Sequence, residues 1–213
     1  TSAKFDAGRL QYLYRILPGI VFESDFPTLP ALSKWNVSTT ALHRDSPLQL
    51  VPLRFAFPFF SNAANEQFSS LYLSSDGALQ LGSALSTACA AQGMSSLFAL
   101  HTTCVYRLIA PLLTSLNPPA SSSAKVNFIS ASNAFAAKWT NMPLFSSASA
   151  SKARKAARFT FQATLTPDGR AIFHYYNATD PGSLVDSGYS LYRSAVAGIE
   201  SNVAGLAFKL PFG

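Results

Sequence analysis

The segment RFTFQATLTPDGRAIFHYYNATDPG, which begins at Arg158, constrains the fold most strongly because apolar and polar side chains alternate along it. Apolar residues occupy every second position of its first half: Phe159, Phe161, Ala163 and Leu165. Such a period of two is typical of a strand with one buried face and one wet face. Pro167 presets φ for a turn and Gly169 supplies the left-handed position. The segment therefore predicts two antiparallel strands joined by a tight turn.

Two further segments carry the same kind of signal. FSSLYLSSDGALQLG places Asp76-Gly77 between apolar runs, and AKVNFISASNAFAAKWTNM places Ser132-Asn133 between two others. Each predicts a β-hairpin, since turn residues of this type tolerate the backbone that a hairpin turn demands.

The segment LQLVPLRFAFPFF predicts another strand. Its expected buried positions are Leu50, Leu53, Phe55, Phe57 and Phe59, with a slip in the alternation near Val51-Pro52. No stretch with a helical period exceeds about twelve residues. The fold class predicted is all-β and mainly antiparallel, a β-sandwich or partly open barrel with long loops and one or two short helices.

The domain organisation follows from the same reading. Residues 1–47 have weak periodicity and several prolines, so we predict an extended N-terminal arm that lies over a core. Residues 48–208 form the predicted β domain, and residues 209–213 are an apolar tail.

Charged residues make up only 12% of the chain, about half of their usual share, and Ser, Thr, Ala and Asn replace them. A surface rich in hydroxyls and amides is more typical of extracellular β proteins than of cytosolic enzymes. The net charge is +6, but most basic residues are scattered along the sequence. Because a nucleic-acid binder concentrates its cations on one face or element, we expect no nucleic-acid partner.

One basic cluster stands out, and it consists of Lys152, Arg154, Lys155 and Arg158. It lies in Ser/Ala-rich sequence that is typical of a loop leading into a strand. A solvated loop explains it, and so does contact with a polyanion such as a sulfated glycan, an acidic partner or a lipid headgroup.

The two cysteines, Cys89 and Cys104, are too few for a zinc site on their own. A bond between them would close a loop of about fifteen residues, worth roughly 3 kcal/mol in the chain-entropy model. Asn36-Val37-Ser38 and Asn177-Ala178-Thr179 are acceptor patterns for N-glycosylation. We therefore expect a Cys89–Cys104 disulfide rather than two buried thiols, glycans at Asn36 and Asn177, and a secreted or cell-surface location.

The most apolar long window, residues 97–113, contains His101, Arg107 and several Thr, which makes it too polar to span a bilayer. We expect no transmembrane segment in this chain, and we expect any membrane anchor to lie outside it.

Reactive groups are sparse. His43, His101 and His174 are far apart in sequence, and no nucleophile elbow, zinc-protease or phosphate-binding motif occurs. His174 alternates with Phe173 and Tyr175, which is typical of an ordinary strand residue. We expect no catalytic residues, no metal site and no cofactor, although a calcium loop near Asp180 and Asp186, or a pair of distant carboxylates, stays open.

The order of these motifs resembles the extracellular domain of the plexin-domain-containing proteins, also called tumour endothelial markers. That domain is similar to nidogen-type modules. The motifs are VPLRFAFPFF, LYLSSDGALQLG, YRLIAPLLTSLNP, AKVNFISASNAFAAKWTNM, RFTFQATLTPDGRAIFHYY and AVAGIESN, spread over residues 45–202. The resemblance implies a β-rich ectodomain that binds other extracellular proteins and has no known active site. The chain departs from the family pattern at Ser61 and at Asp76, where the family has glycine, and the Cys89/Cys104 segment resembles an insertion.

Three functions are consistent with these features. The first is a protein-recognition or adhesion module that binds extracellular or membrane proteins through loops and strand edges. The second is a structural subunit of a larger extracellular assembly or filament, and the third is a hydrolase of unrecognised pattern. Besides the basic cluster, the predicted contact residues are Tyr176, Tyr189, Tyr192 and Arg193, although these tyrosines could equally pack on the sandwich.

Overall fold

A computed structural model describes residues 2–6, 11–15, 29–37, 49–59, 66–82, 107–113, 116–144, 158–178, 196–200 and 207–209. Within these residues the chain is almost entirely strand, and the strands form two antiparallel sheets. The predicted fold class is confirmed, and the sheets do not close into a barrel.

The first sheet contains β1 (Ser2–Asp6), β2 (Gln11–Arg15), β3 (Asn36–Val37), β8 (Lys125–Ser130), β9 (Phe135–Pro143), β10 (Arg158–Leu165) and β11 (Arg170–Ala178). The second contains β4 (Gln49–Phe59), β5 (Glu66–Leu73), β6 (Leu79–Leu81), β7 (Leu108–Leu113), β12 (Val196–Glu200) and β13 (Ala207–Lys209). Their orders are β2-β1-β11-β10-β9-β8-β3 and β13-β12-β7-β6-β5-β4. Two short 3-10 helices, Leu32–Lys34 and Pro118–Ala120, are the helical elements of the described residues.

Parts of the segment predicted as an N-terminal arm contribute strands to the first sheet. β1 pairs with β11, β2 pairs with β1, and β3 pairs with β8 at the other side of the sheet. Trp35 precedes β3, is buried, and donates its indole N–H to the carbonyl of Pro30 at 2.9 Å.

The core lies between the two sheets. Inward-facing residues of both sheets form it, and the largest fully buried side chains are Trp139, Phe57, Phe59, Phe135 and Phe161. Trp139 stacks on Phe161 with their ring centroids 5.1 Å apart. Each such side chain stabilises the fold by roughly 1.5–3 kcal/mol through burial.

β4 corrects one detail of the predicted strand. Val51 is 1% exposed and Leu50 is 55% exposed, so the alternation continues without a slip from Val51 to Phe59. The slip was inferred because two apolar residues are adjacent, but the register that buries Phe57 and Phe59 also buries Val51. A one-residue shift would move the whole apolar set to the solvent face.

The three predicted hairpins are confirmed as β5–β6, β8–β9 and β10–β11. Gly77 and Gly169 have φ values of 80° and 83°, in the left-handed region. At the β10–β11 turn, the amide of Thr166 donates to the carbonyl of Arg170 at 3.0 Å. Turn chemistry read from the sequence therefore positions these strands.

Candidate recognition surface

The side chains of the first sheet that face away from the core form the candidate site. On β10 these are Arg158, Thr160, Gln162 and Thr164. This face was predicted to be wet, yet Gln162 is 6% exposed and Thr164 is 2% exposed. The prediction of a wet face is wrong at these two positions, because alternation identifies an outward direction but not what lies over it.

Two β-bulges flank Thr160. On one side, Phe159 pairs with Met142 and Phe161 pairs with Trp139, so β9 has one more residue than β10 in this interval. Asn141 in this bulge has a φ of 52°, and its amide donates to Thr160 Oγ1 at 3.1 Å. Asn tolerates the left-handed region better than most residues, which suits it to this position.

On the other side of β10 the additional residue is Tyr176. Phe161 pairs with Tyr175 while Thr160 pairs with Asn177, and Tyr176 lies between these two pairs. Bulges re-aim side chains and increase the local twist of a strand. The bulge therefore places two consecutive tyrosines in different surroundings.

Tyr175 reaches the second sheet, where its hydroxyl donates to the carbonyl of Pro111 at 2.5 Å. Tyr176 lies on the outer face, where its hydroxyl donates to Gln162 Oε1 at 3.0 Å. Tyr175 is 44% exposed as a whole residue, yet burial around the hydroxyl raises the pKa of this phenol and that of Tyr176, so both are neutral donors at physiological pH.

Tyr176 is held on several sides and is still 47% exposed. Lys138 Nζ lies 4.2 Å from the centroid of its ring, and the ring of His174 lies 6.0 Å away. Gln162 donates from Nε2 to Thr164 Oγ1 at 3.0 Å. We call Lys138, Gln162, Thr164, His174 and Tyr176 the Tyr176 surface. It presents a partly exposed aromatic ring that is fixed by a hydrogen bond and a cation–π contact.

The charge of this face is positive. Lys125 begins β8 and is exposed. It pairs with Thr140 of β9, which is two residues from Lys138. Arg158 begins β10 on the same face. Among the outward side chains that the structure describes on β8, β9, β10 and β11, there is no carboxylate. The face therefore favours an anionic or hydrogen-bond-accepting ligand.

His174 lies in β11 and Asp168 lies in the β10–β11 turn. The contacts of both side chains stabilise the fold. Burial lowers the pKa of His174, with a further contribution from the charge of Lys138. Burial alone would raise the pKa of Asp168, but hydrogen bonds from Thr166 and Arg170 and the Arg170 charge hold it below its usual value. Arg170 Nε lies 2.8 Å from Asp168 Oδ2, and Thr166 Oγ1 donates to Asp168 Oδ1. Asp168 thus stabilises its own turn.

Within the described ranges, no group of three or more His, Cys, Asp or Glu side chains is placed to hold a metal ion. In the same part of the chain, no helix is long and apolar enough to cross a membrane.

The structure locates three predicted site residues with their side chains. Tyr176 is at the centre of the surface, Arg158 begins β10, and Asn36 is exposed on β3. Asn177 lies in β11, but its side chain is outside the described set. Eight other predicted residues lie outside the described residues: Cys89, Cys104, Lys152, Arg154, Lys155, Tyr189, Tyr192 and Arg193.

Sequence reasoning missed Lys138, Gln162 and Thr164 as members of the site. Gln162 and Thr164 were visible as outward positions of an alternating strand. The signal that could have found Tyr176 more precisely is Tyr175-Tyr176, where two tyrosines interrupt the alternation of β11.

Two open antiparallel sheets around an aromatic core, with a polar and aromatic outer face, define an all-β module. A family model described as NIDO related matches residues 26–210, and the chain belongs to that family. The match begins before residue 45, where the resemblance in the sequence starts, and it confirms the nidogen-like character of the module. NIDO-related domains are a non-catalytic type of module and are typical of extracellular proteins. No curated protein and no solved structure matches the chain.

Proposed function

We propose that this chain is an extracellular recognition module that binds another protein through the Tyr176 surface. Membership of the NIDO-related family supports the extracellular location. The resemblance of the motifs to the ectodomain of plexin-domain-containing proteins supports protein binding in particular.

The observation that carries the proposal is the bulge of β11. It leaves Tyr176 half exposed while Gln162 and Lys138 hold the ring in place. Tyrosine is enriched among the residues that dominate binding energy at protein interfaces. A ring that is already ordered loses less conformational entropy on binding, so it is better suited to recognition than a mobile one.

The charge of the face indicates the kind of partner. Lys125 and Lys138 are near each other, and the described outward side chains include no acid. A partner with acidic side chains around an aromatic-binding depression fits this pattern. A linear sulfated glycan, the other partner predicted from the sequence, is the alternative, because Arg158 adds a third cation to this face.

The prolines of β4 favour binding of the partner through a sheet face rather than through a strand edge. β4 is one of the two outermost described strands of the second sheet, and it contains Pro52 and Pro58. Proline cannot donate a main-chain hydrogen bond, and it is a common protection of edge strands against pairing with another chain. Of the two modes predicted from the sequence, strand addition is therefore disfavoured at this edge.

A glycan placed on the outer face tests the proposal. The substitution Ile129→Thr converts Asn127-Phe128-Ile129 into an acceptor sequence. Asn127 pairs with Lys138 across β8 and β9, so this glycan would cover the Tyr176 surface. We expect the secreted variant to lose at least about tenfold in affinity for cell surfaces that bind the unmodified chain.

The matched control is Asn127→Gln/Ile129→Thr, which has the same change in packing but cannot carry the glycan. Tyr176→Ala provides a second, glycan-free test with the same expected loss, as removal of a dominant interface residue costs about 2 kcal/mol or more. Unchanged binding by both a fully glycosylated Ile129→Thr variant and Tyr176→Ala contradicts the proposal.

A further inference from the structure

Asn36 lies on β3, the outermost strand that the structure describes on its side of the first sheet. Its side chain is exposed, and Asn36-Val37-Ser38 is an acceptor sequence for N-glycosylation. The main chain of β3 pairs with β8, with Asn36 opposite Phe128 and Val37 opposite Asn127. The acceptor is therefore fixed in a strand and accessible to solvent.

The register gives the direction of the Asn36 side chain. Residues directly opposite each other in an antiparallel pair project on the same face of the sheet. Phe128 is buried in the core between the sheets, whereas Asn127 is on the outer face with Lys138. Asn36 therefore projects on the inner side, away from the Tyr176 surface, at the rim of the sheet.

The second sheet approaches the first at this rim. The amide of Arg54 in β4 donates to Ser130 Oγ in β8 at 3.0 Å, two residues along β8 from Phe128. We call the rim formed by β3 and β4 the flank. These two strands are the outermost ones that the structure describes on this side of their sheets. Pro52 and Pro58 protect β4, but β3 contains no proline, and such a strand can pair with another copy of the chain unless something covers it.

We infer that Asn36 carries an N-linked glycan that covers the flank and leaves the Tyr176 surface free. The inference rests on the proposed extracellular function, because the modification occurs in the secretory pathway. A lipid-linked oligosaccharide diphosphate is the donor. A bond forms between C1 of the first sugar and Asn36 Nδ2, the bond from C1 to the phosphate oxygen breaks, the lipid diphosphate leaves, and the amide loses one proton.

Two substitutions test occupancy by different routes. Asn36→Gln removes the acceptor nitrogen, and Ser38→Ala keeps Asn36 but destroys the acceptor sequence. The full chain is secreted from eukaryotic cells and treated with peptide-N-glycosidase. Asn177→Gln removes the second acceptor, so that a glycan at Asn177 is not mistaken for one at Asn36. We expect Asn36→Gln and Ser38→Ala to lose the same single glycan. In the chain without substitutions, peptide mapping after glycosidase treatment should find Asn36 converted to Asp.

A secreted chain with an unmodified Asn36 peptide overturns this inference and leaves the proposed function intact. A chain that never enters the secretory pathway overturns both.

The shielding is tested by self-association. We expect the glycosylated chain to sediment as a monomer and Ser38→Ala to shift toward dimer. Adding Val37→Lys to Ser38→Ala places a charge on the half-exposed edge and should restore the monomer. If the glycosylated chain and Ser38→Ala sediment equally, the shielding part of the inference is overturned. Ser38→Ala should bind the partner as strongly as the chain without substitutions does.

Discussion

The indole nitrogen of Trp139 donates a hydrogen bond to the main-chain carbonyl of Ser74 at 2.9 Å, which joins the first sheet to the β5–β6 turn of the second. Trp139 also stacks on Phe161, so one side chain provides both packing and a directional contact between the layers. Because a buried indole needs a partner for its N–H, this arrangement fixes how the two sheets face each other.

Replacing Trp139 by Phe keeps an aromatic ring against Phe161 but removes the donor to Ser74. We expect a loss of about 2–4 kcal/mol in the free energy of unfolding, from the smaller ring and the unpaired carbonyl. Urea unfolding followed by far-UV circular dichroism measures it. Ser122→Ala, on an exposed turn, is the control and should change stability by less than about 0.5 kcal/mol. A loss at Trp139→Phe no larger than in the control contradicts this view of the contact.

Gly77 and Gly169 offer a matched pair with nearly equal φ. A β-carbon at Gly77 would lie 2.1 Å from the carbonyl oxygen of Leu112, whereas at Gly169 its nearest neighbour is Pro58 Cγ at 3.1 Å. We expect Gly169→Ala to cost about 1–2 kcal/mol from the backbone alone, and Gly77→Ala to cost more than about 4 kcal/mol or to prevent folding. The expression yield and unfolding midpoint of both variants are the measurements. Equal costs would mean that the β5–β6 turn is not packed against β7.

Tyr175 makes stability sensitive to alkaline pH. Burial raises the pKa of Tyr175, and its hydroxyl donates to Pro111. Below the ordinary tyrosine pKa of about 10, Tyr175 keeps its proton in both the folded and the unfolded chain. The neutral hydroxyl then makes its full contribution to the free energy of unfolding. Above it the unfolded chain ionises first, so the free energy of unfolding falls as pH rises.

The measurement is urea unfolding at about pH 8 and about pH 11. Tyr175→Phe should reduce the loss of stability between these values, although it is less stable at the lower pH because Pro111 loses its donor. An unchanged pH dependence in Tyr175→Phe would show that other groups cause it.

The bulge at Asn141 should depend on the residue in the left-handed position. Asn141→Gly should be nearly neutral, while Asn141→Val should destabilise by about 1–2 kcal/mol because a β-branched side chain is strained at positive φ. Comparison of the two unfolding curves isolates the backbone effect. If valine is as stable as glycine, the strand has changed register and the bulge is absent.

Binding at the Tyr176 surface should weaken as salt increases, because exposed charges are screened. Lys125→Gln/Lys138→Gln should bind more weakly and lose most of its salt dependence, and a titration of sodium chloride in the cell-binding measurement tests both. Lys34→Gln is a control at an exposed cation outside this face. Competition by heparin at low concentration would assign the surface to sulfated glycans and contradict a protein partner.

The sequence predicts the hairpins well because their signals are local. The period of two and the turn residues of β10–β11 act within one short segment, and the structure confirms them. Asp76-Gly77 predicts the β5–β6 turn in the same way.

The site is less predictable because it depends on neighbouring strands. Lys138, Gln162 and Tyr176 come from three strands, and they meet only because bulges change the register around Thr160. No residue type marks a bulge reliably, so alternation alone assigned Gln162 to solvent. The exposure of Leu50 was missed for a similar reason. Leu50 and Val51 are both apolar, and only the alternation along the rest of β4 shows which of them is buried.

The bulges on both sides of Thr160 lie close to Pro143 and Ala178, the ends of β9 and β11, each of which is followed by a further segment of the chain. An extra residue can be absorbed at a bulge without sliding the aromatic residues of β9 and β10 past one another. Relatives of this module could therefore lengthen or rewrite those two segments during evolution while the interior remains unchanged. Differences in ligand choice would then arise without a change in the packed sheets, much as they do where variable loops are attached to a rigid framework.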